Sequence, residues 1–141
     1  MTAITRMRDA GWRLLGRLDA FCNRLYGWRY NPLYHSGAIA VGAFLVLLVT
    51  GIYLLLFYRI GAPYESMAAL QSQWWGGRWI RSLHRYASDV TVVAVVIHAA
   101  RMLLQGRSWG SRALAWISGA VLFFVVLVCG WTGLVMVWDE P

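Results

Sequence analysis

The stretch Gly37–Phe57, GAIAVGAFLVLLVTGIYLLLF, runs for 21 residues without a charge. At about 1.5 Å per residue a helix of that length covers about 32 Å, which matches a bilayer hydrocarbon core of about 30 Å. Composition agrees: 60% of the 141 residues are hydrophobic and 13% charged, a balance foreign to intrinsic disorder and to an ordinary soluble domain. All 13 basic residues are Arg, and against six acids they give a formal net charge of +7. Such a charge suits anionic headgroups as readily as nucleic acid, and the hydropathy decides for membrane lipid. No nucleic-acid partner is expected.

Working outward, Ala113–Trp138 is a second uncharged run long enough to cross with some tilt. The apolar stretch Ala87–Leu104 is a third, although it contains Asp89, His98 and Arg101. A charge at the centre of a span costs roughly 2.5 to 3.5 kcal/mol on insertion scales, so such residues face a polar partner or mark function. Residues 3–26 set Met7, Gly11, Leu14, Leu18, Phe21, Cys22 and Leu25 near one side of a helical wheel with Arg6, Arg13, Arg17 and Arg24 beside them, the pattern of an interfacial helix. The fold class expected is all-α: three transmembrane helices and an N-terminal amphipathic surface helix. The interfacial helix and its linker take residues 1–30 and the transmembrane domain residues 31–141, with short connections at 58–77 and 105–112. Six arginines precede the first span and Arg101, Arg107 and Arg112 flank the second connection, so that side, with the N-terminus, is expected in the cytoplasm of a bacterial inner-membrane protein.

Two cysteines, Cys22 and Cys129, make no disulfide framework, and neither a phosphate loop nor a Ser/His/Asp set is present. What remains is His84 and His98, fourteen residues apart on the middle helix. That interval is about 21 Å of rise and about 40° short of complete turns, so one helix face presents two imidazoles, one near each membrane surface. Neutral imidazole ligates haem iron, and two stacked haems need such a pair; interhelical hydrogen bonding is the other reading of the spacing. Arg81 and Arg101 each lie one turn outward from a histidine. They are placed to pair with haem propionates, or to anchor the helix ends by snorkelling, or both. Gly37 and Gly51 on the first span, and Gly119 and Gly133 on the third, repeat the same interval of fourteen. Positions without side chains suit a flat macrocycle between helices, and also suit plain helix packing.

The run Gly76-Gly77-Arg78-Trp79-Ile80-Arg81-Ser82-Leu83-His84-Arg85-Tyr86-Ala87-Ser88, followed by Ile97-His98-Ala99-Ala100-Arg101, resembles the second helix of the cytochrome b family of quinol-oxidising bc-type complexes, most closely its photosynthetic branch. Thr50-Gly51 is similar to the family's first helix, and Trp116, Gly119, Gly133 and Trp138-Asp139 to its third. The resemblance implies two haems b, with His84 an axial ligand of the outer one and His98 of the cytoplasmic one. It further implies haem packing for Gly37, Gly51, Gly119 and Gly133, and propionate contacts for Arg81 and Arg101. The implied function is transmembrane electron transfer in a quinol- or quinone-reactive complex, alongside iron–sulfur or c-type cytochrome subunits.

Family members carry two further axial histidines on a fourth helix, which residues 1–141 do not include. The missing ligands are expected from a partner chain, with a second copy of this chain or a longer polypeptide as alternatives. The chain alone is then not a complete quinol oxidase. His35 lies roughly 200° around the helix from Gly37 and points away from its slot. In the photosynthetic branch a cysteine at this place attaches an extra haem, a thioether His35 cannot form. Asp89 follows Arg85 by four residues, the spacing of a helical ion pair. Asp139 and Glu140 are read as a solvated helix end. Competing functions are a haem b anchor of a quinone-linked dehydrogenase and a haem-free scaffold or assembly subunit.

Overall fold

The computed structural model describes residues 3–136 apart from Ile60 and Trp109; Trp138, Asp139 and Glu140 lie outside the described residues. The described chain is helical: α1 (Ala3–Tyr26), a 3-10 turn (Trp28–Tyr30), α2 (Ser36–Phe57), α3 (Pro63–Ser72), α4 (Gly77–Leu104), a second 3-10 turn (Gly110–Arg112) and α5 (Ala113–Met136). Helices α2, α4 and α5 are long and apolar enough to cross a membrane.

The bundle is organised on the antiparallel pair α2 and α4, by far the most extensive contact among the elements. Its interior is built from small residues: Ser36, Ala40 and Thr50 on α2, and Ala87, Thr91 and Ala94 on α4, are all buried. Small side chains let two backbones approach closely, which is how helices associate where lipid removes the hydrophobic drive between them. Thr50 and Thr91 return their hydroxyls to the helix backbone, to the carbonyls of Val46 at 2.7 Å and Ala87 at 2.6 Å. Their polarity is thereby satisfied inside the pair. Helix α5 packs more sparingly against α4, and no residue of its apolar window is buried.

Helix α1 ends at Gly27, whose φ of 73° no other residue type adopts easily and whose N–H donates to the Asn23 carbonyl at 2.9 Å. Its contacts gather at the end of the bundle where α4 finishes and α2 begins: a Cβ on Gly11 would meet the Leu104 side chain, and Asp19 pairs with Arg101. The apolar side read from the sequence is divided. Gly11 turns to the bundle, while Leu14, Leu18, Phe21 and Leu25 stay exposed as a separate stripe.

The connection 58–77 is more ordered than a short loop. It folds into α3, with Pro63 at the start and Glu65 in the first turn, both favoured at a helix N-terminus. Ser66 accepts the Arg59 N–H at 3.1 Å and donates to the Ala62 carbonyl at 2.7 Å, closing the turn that leads in. Leu70 is buried against the start of α4, where a Cβ on Gly77 would collide with the Leu70 carbonyl. The backbone itself occupies that space, so Gly77→Ala should displace α3 and lower stability by about 1 to 3 kcal/mol. Denaturation of the detergent-solubilised protein measures the loss, and an unchanged midpoint would contradict this packing.

Candidate cofactor-binding site

The register of the α2–α4 pair decides what meets what. A Cβ on Gly37 would lie 2.8 Å from Cε1 and 3.0 Å from Nδ1 of His98, and one on Gly51 would lie 3.1 Å from Cε1 of His84. Both distances are too short for any side chain to be added without displacing an imidazole. The two glycines of α2 lie directly against the rings. An interval of fourteen on one helix is matched by fourteen on its antiparallel neighbour, so both pairs form in one register.

His84 is half-buried and its Nδ1 lies 2.9 Å from Thr50 Oγ1. The Thr50 hydroxyl has one proton, and the Val46 carbonyl at 2.7 Å is its nearest acceptor. With that proton on the carbonyl, the hydroxyl oxygen is free to accept an Nδ1–H from His84, the tautomer in which Nε2 carries the lone pair. A histidine oriented through one nitrogen and free at the other is the usual state of an imidazole that ligates a metal. This contact was not foreseen: Thr50 stood in the sequence only as part of a motif.

His98 opens into a cleft of about 360 Å³ between α2, α4 and α5, walled by Gly37, Thr91, Phe44, Trp116, Gly119 and Phe123 among others. The cleft is almost wholly apolar apart from the imidazole and the Trp116 indole. The indole N–H is buried without a partner among the described residues, a donor left available beside the cleft. Gly119 contributes backbone to this wall, and a Cβ there would meet open space. A Cβ on Gly133 would also meet open space, but Gly133 does not line the cleft.

The arginines are engaged within the protein. Arg81 Nη1 donates to Gln71 Oε1 at 2.7 Å, tying α4 to α3. Arg101 is buried, pairs through Nη1 with Asp19 Oδ1 at 2.6 Å, and places its guanidinium carbon 5.0 Å from the centre of the Tyr34 ring. Each guanidinium has five N–H donors, so one committed donor leaves others for a second acceptor. His35 stands at the start of α2, exposed, with Nε2 3.1 Å from the Arg29 carbonyl and away from the cleft. The Arg85–Asp89 pair expected from spacing does not form: Arg101–Asp19 is the only ion pair among the described residues, and Arg85 and Asp89 are both exposed. An Arg placed N-terminal to its acid is the weaker of the two helical orientations, and solvated side chains gain little by closing it. Cys22 and Cys129 are free thiols.

The arrangement is an antiparallel helix pair with two ring-on-glycine contacts and a third helix walling an apolar cleft. Comparison with known proteins names the class. The cytochrome b/b6/petB family profile matches residues 24–140, and the chain belongs to the cytochrome b family. It is similar to the cytochrome b6 of Synechococcus elongatus, 30% identical over 112 residues, 78% of this chain and 52% of the relative. The cytochrome b6 of Prochlorococcus marinus strain MIT 9303 is 31% identical, with 78% and 51% covered. The menaquinol:cytochrome c reductase cytochrome b subunit of Bacillus subtilis is 29% identical over 118 residues, with 77% and 53% covered. The chain thus spans about half the length of the relatives it matches. Membership and the three long apolar helices together make it a multi-pass integral membrane protein of b-type cytochrome kind, for which the family implies haem b.

Thr50→Val removes the oxygen that lies 2.9 Å from Nδ1 of His84, a loss worth about 1 to 3 kcal/mol. Thermal unfolding in detergent should show that loss for Thr50→Val and not for Thr50→Ser, which keeps the oxygen.

Proposed function

We propose that this chain is the part of a b-type cytochrome that holds two haems, one at His84 and one at His98, and conducts electrons across the membrane between quinol or quinone and another redox carrier. The observation that carries the reading is the shared register in which Gly51 receives the His84 ring and Gly37 the His98 ring. Glycines alone would serve helix packing, but two imidazoles seated on them at one shared interval are what a pair of ligand sites at matched depths requires. When bound, each haem supplies reversible one-electron chemistry.

The protein's own residues supply the rest. His84 and His98 would each hold one haem through a ring nitrogen, Thr50 would orient the first ring, and the apolar helix faces would keep water from the sites. Arg81 and Arg101 lie one turn outward from the histidines, with guanidinium donors to spare for propionates. Gly119 and Gly133 keep the α5 side of the slots thin. The remaining haem ligands would come from a helix outside residues 1–141. The exposed length of α5 supports this reading, because it leaves the bundle with an uncovered side. Iron–sulfur and c-type cytochrome subunits are the expected neighbours in a bc-type assembly, and the arginine-rich side with α1 is assigned to the cytoplasm, α1 lying along anionic lipid.

His98→Leu should abolish one of two b-type α-bands in reduced-minus-oxidised spectra of the assembled complex and spare the other; His84→Leu should do the reverse. Gly37→Leu should reproduce the loss caused by His98→Leu, since its side chain would occupy the place of that ring. Two bands surviving every substitution would refute the ligand assignment, and a complex without b-type bands attributable to this chain would favour the scaffold reading.

A further inference from the structure

Arg101 is unusual among the described arginines in being buried, and what holds it comes from the surface helix. Asp19 of α1 reaches its Nη1 at 2.6 Å, and the two side chains are only 21% and 10% exposed. Tyr34 lies under the guanidinium at 5.0 Å. The fully buried Asn31 then locks these groups together: its Nδ2 donates to Asn23 Oδ1 at 2.8 Å and to the Asp19 carbonyl at 3.4 Å, while its Oδ1 accepts the Leu33 N–H at 2.9 Å. Asn23 donates in turn to the Tyr34 hydroxyl at 3.3 Å. Helix α1, the turn after it and the distant end of α4 are joined by one polar network whose only charges are Asp19 and Arg101.

A buried ion pair gains little net stability over apolar packing, because desolvation offsets most of the attraction. What it does fix is position. Arg101 sits one turn from His98, within the distance at which a charge in a low-dielectric surround acts on a neighbouring redox group. Asp19 determines both where that positive charge stands and how far it is compensated.

We propose that Asp19 is a positioning residue for Arg101, and that through this pair the surface helix α1 sets the reduction potential of the haem held by His98. The inference rests on the two-haem reading above. The sign follows from electrostatics. Removing the carboxylate leaves the arginine uncompensated and favours the form carrying the extra electron; removing the arginine leaves the carboxylate and disfavours it. The haem at His84, about 21 Å along α4, serves as an internal reference.

The test is an optical redox titration of the assembled complex carrying Asp19→Asn, Asp19→Glu, Arg101→Gln and the double variant. Asp19→Asn should raise the reduced-to-oxidised ratio of the His98-linked haem severalfold at fixed ambient potential, and Arg101→Gln should lower it; a tenfold change corresponds to about 59 mV for a one-electron couple. Asp19→Glu, which keeps the charge, should stay near the wild-type potential, and the double variant should return toward it. The His84-linked haem should not move. If Asp19→Asn does not assemble, the double variant against Arg101→Gln isolates the same carboxylate and should give the higher potential. Potentials unchanged in all variants, or both haems moving equally, would overturn the inference, as would reduced haem content or melting temperature with the retained haem's potential intact. A wild-type complex with no b-type bands would instead refute the two-haem reading itself.

Discussion

Everything in this bundle depends on the close antiparallel approach of α2 and α4. Ser36, Ala40 and Thr50 facing Ala87, Thr91 and Ala94 bring the backbones near enough for the imidazoles of His84 and His98 to lie against bare glycine. A larger residue at any of those positions would separate the helices and draw both rings away from α2 together, because the contacts share one register. Stability and site geometry are in this sense a single property of the pair. In lipid that property rests on dispersion and shape, since no water is released when the helices meet.

The rest of the chain is arranged around the pair at increasing distance from its core. Helix α3 pins the start of α4 through Leu70 and Gly77, and Arg81 extends that link to Gln71. Helix α1 closes the other end through Asp19, with the Asn31 network beneath it. Helix α5 contributes a wall and little else, which is why the cleft beside His98 is bounded by three helices and open beyond them. The two ends differ in chemistry: one is held by apolar contact and a neutral amide, the other by a buried charge pair.

Much of this was legible in the residues because hydrophobicity along a membrane helix is a local signal. The uncharged runs beginning at Gly37 and Ala113, and the amphipathic run from residue 3, each correspond to a helix within a residue or two of the expected start. The fourteen-residue intervals were legible for the same reason, and they placed Gly37 opposite His98 and Gly51 opposite His84 once the helices were antiparallel. What the sequence hid is what depends on distant partners. Asp19 and Arg101 are 82 positions apart, and nothing near either residue announces the other. Thr50 reads as an unremarkable polar residue in an apolar span until His84 is folded against it. Arg85 and Asp89 mislead in the opposite way, since their spacing is local and suggests a pair that the exposed side chains do not make. The order within 58–77 is hidden in the sequence because a ten-residue helix with mixed polarity has no periodicity strong enough to stand out.

The shared register also fixes which parts of the chain tolerate a change in length. Each residue turns a helix by about 100° and advances it by about 1.5 Å, so one insertion between Gly37 and Gly51, or between His84 and His98, swings one ring off its glycine while the other stays in place. Those two segments are metrically rigid: substitution is permitted within limits of size, but insertion or deletion is not. The linkers outside them carry no such ruler, and descendants of this chain can lengthen or shorten there without disturbing the spacing that both sites require.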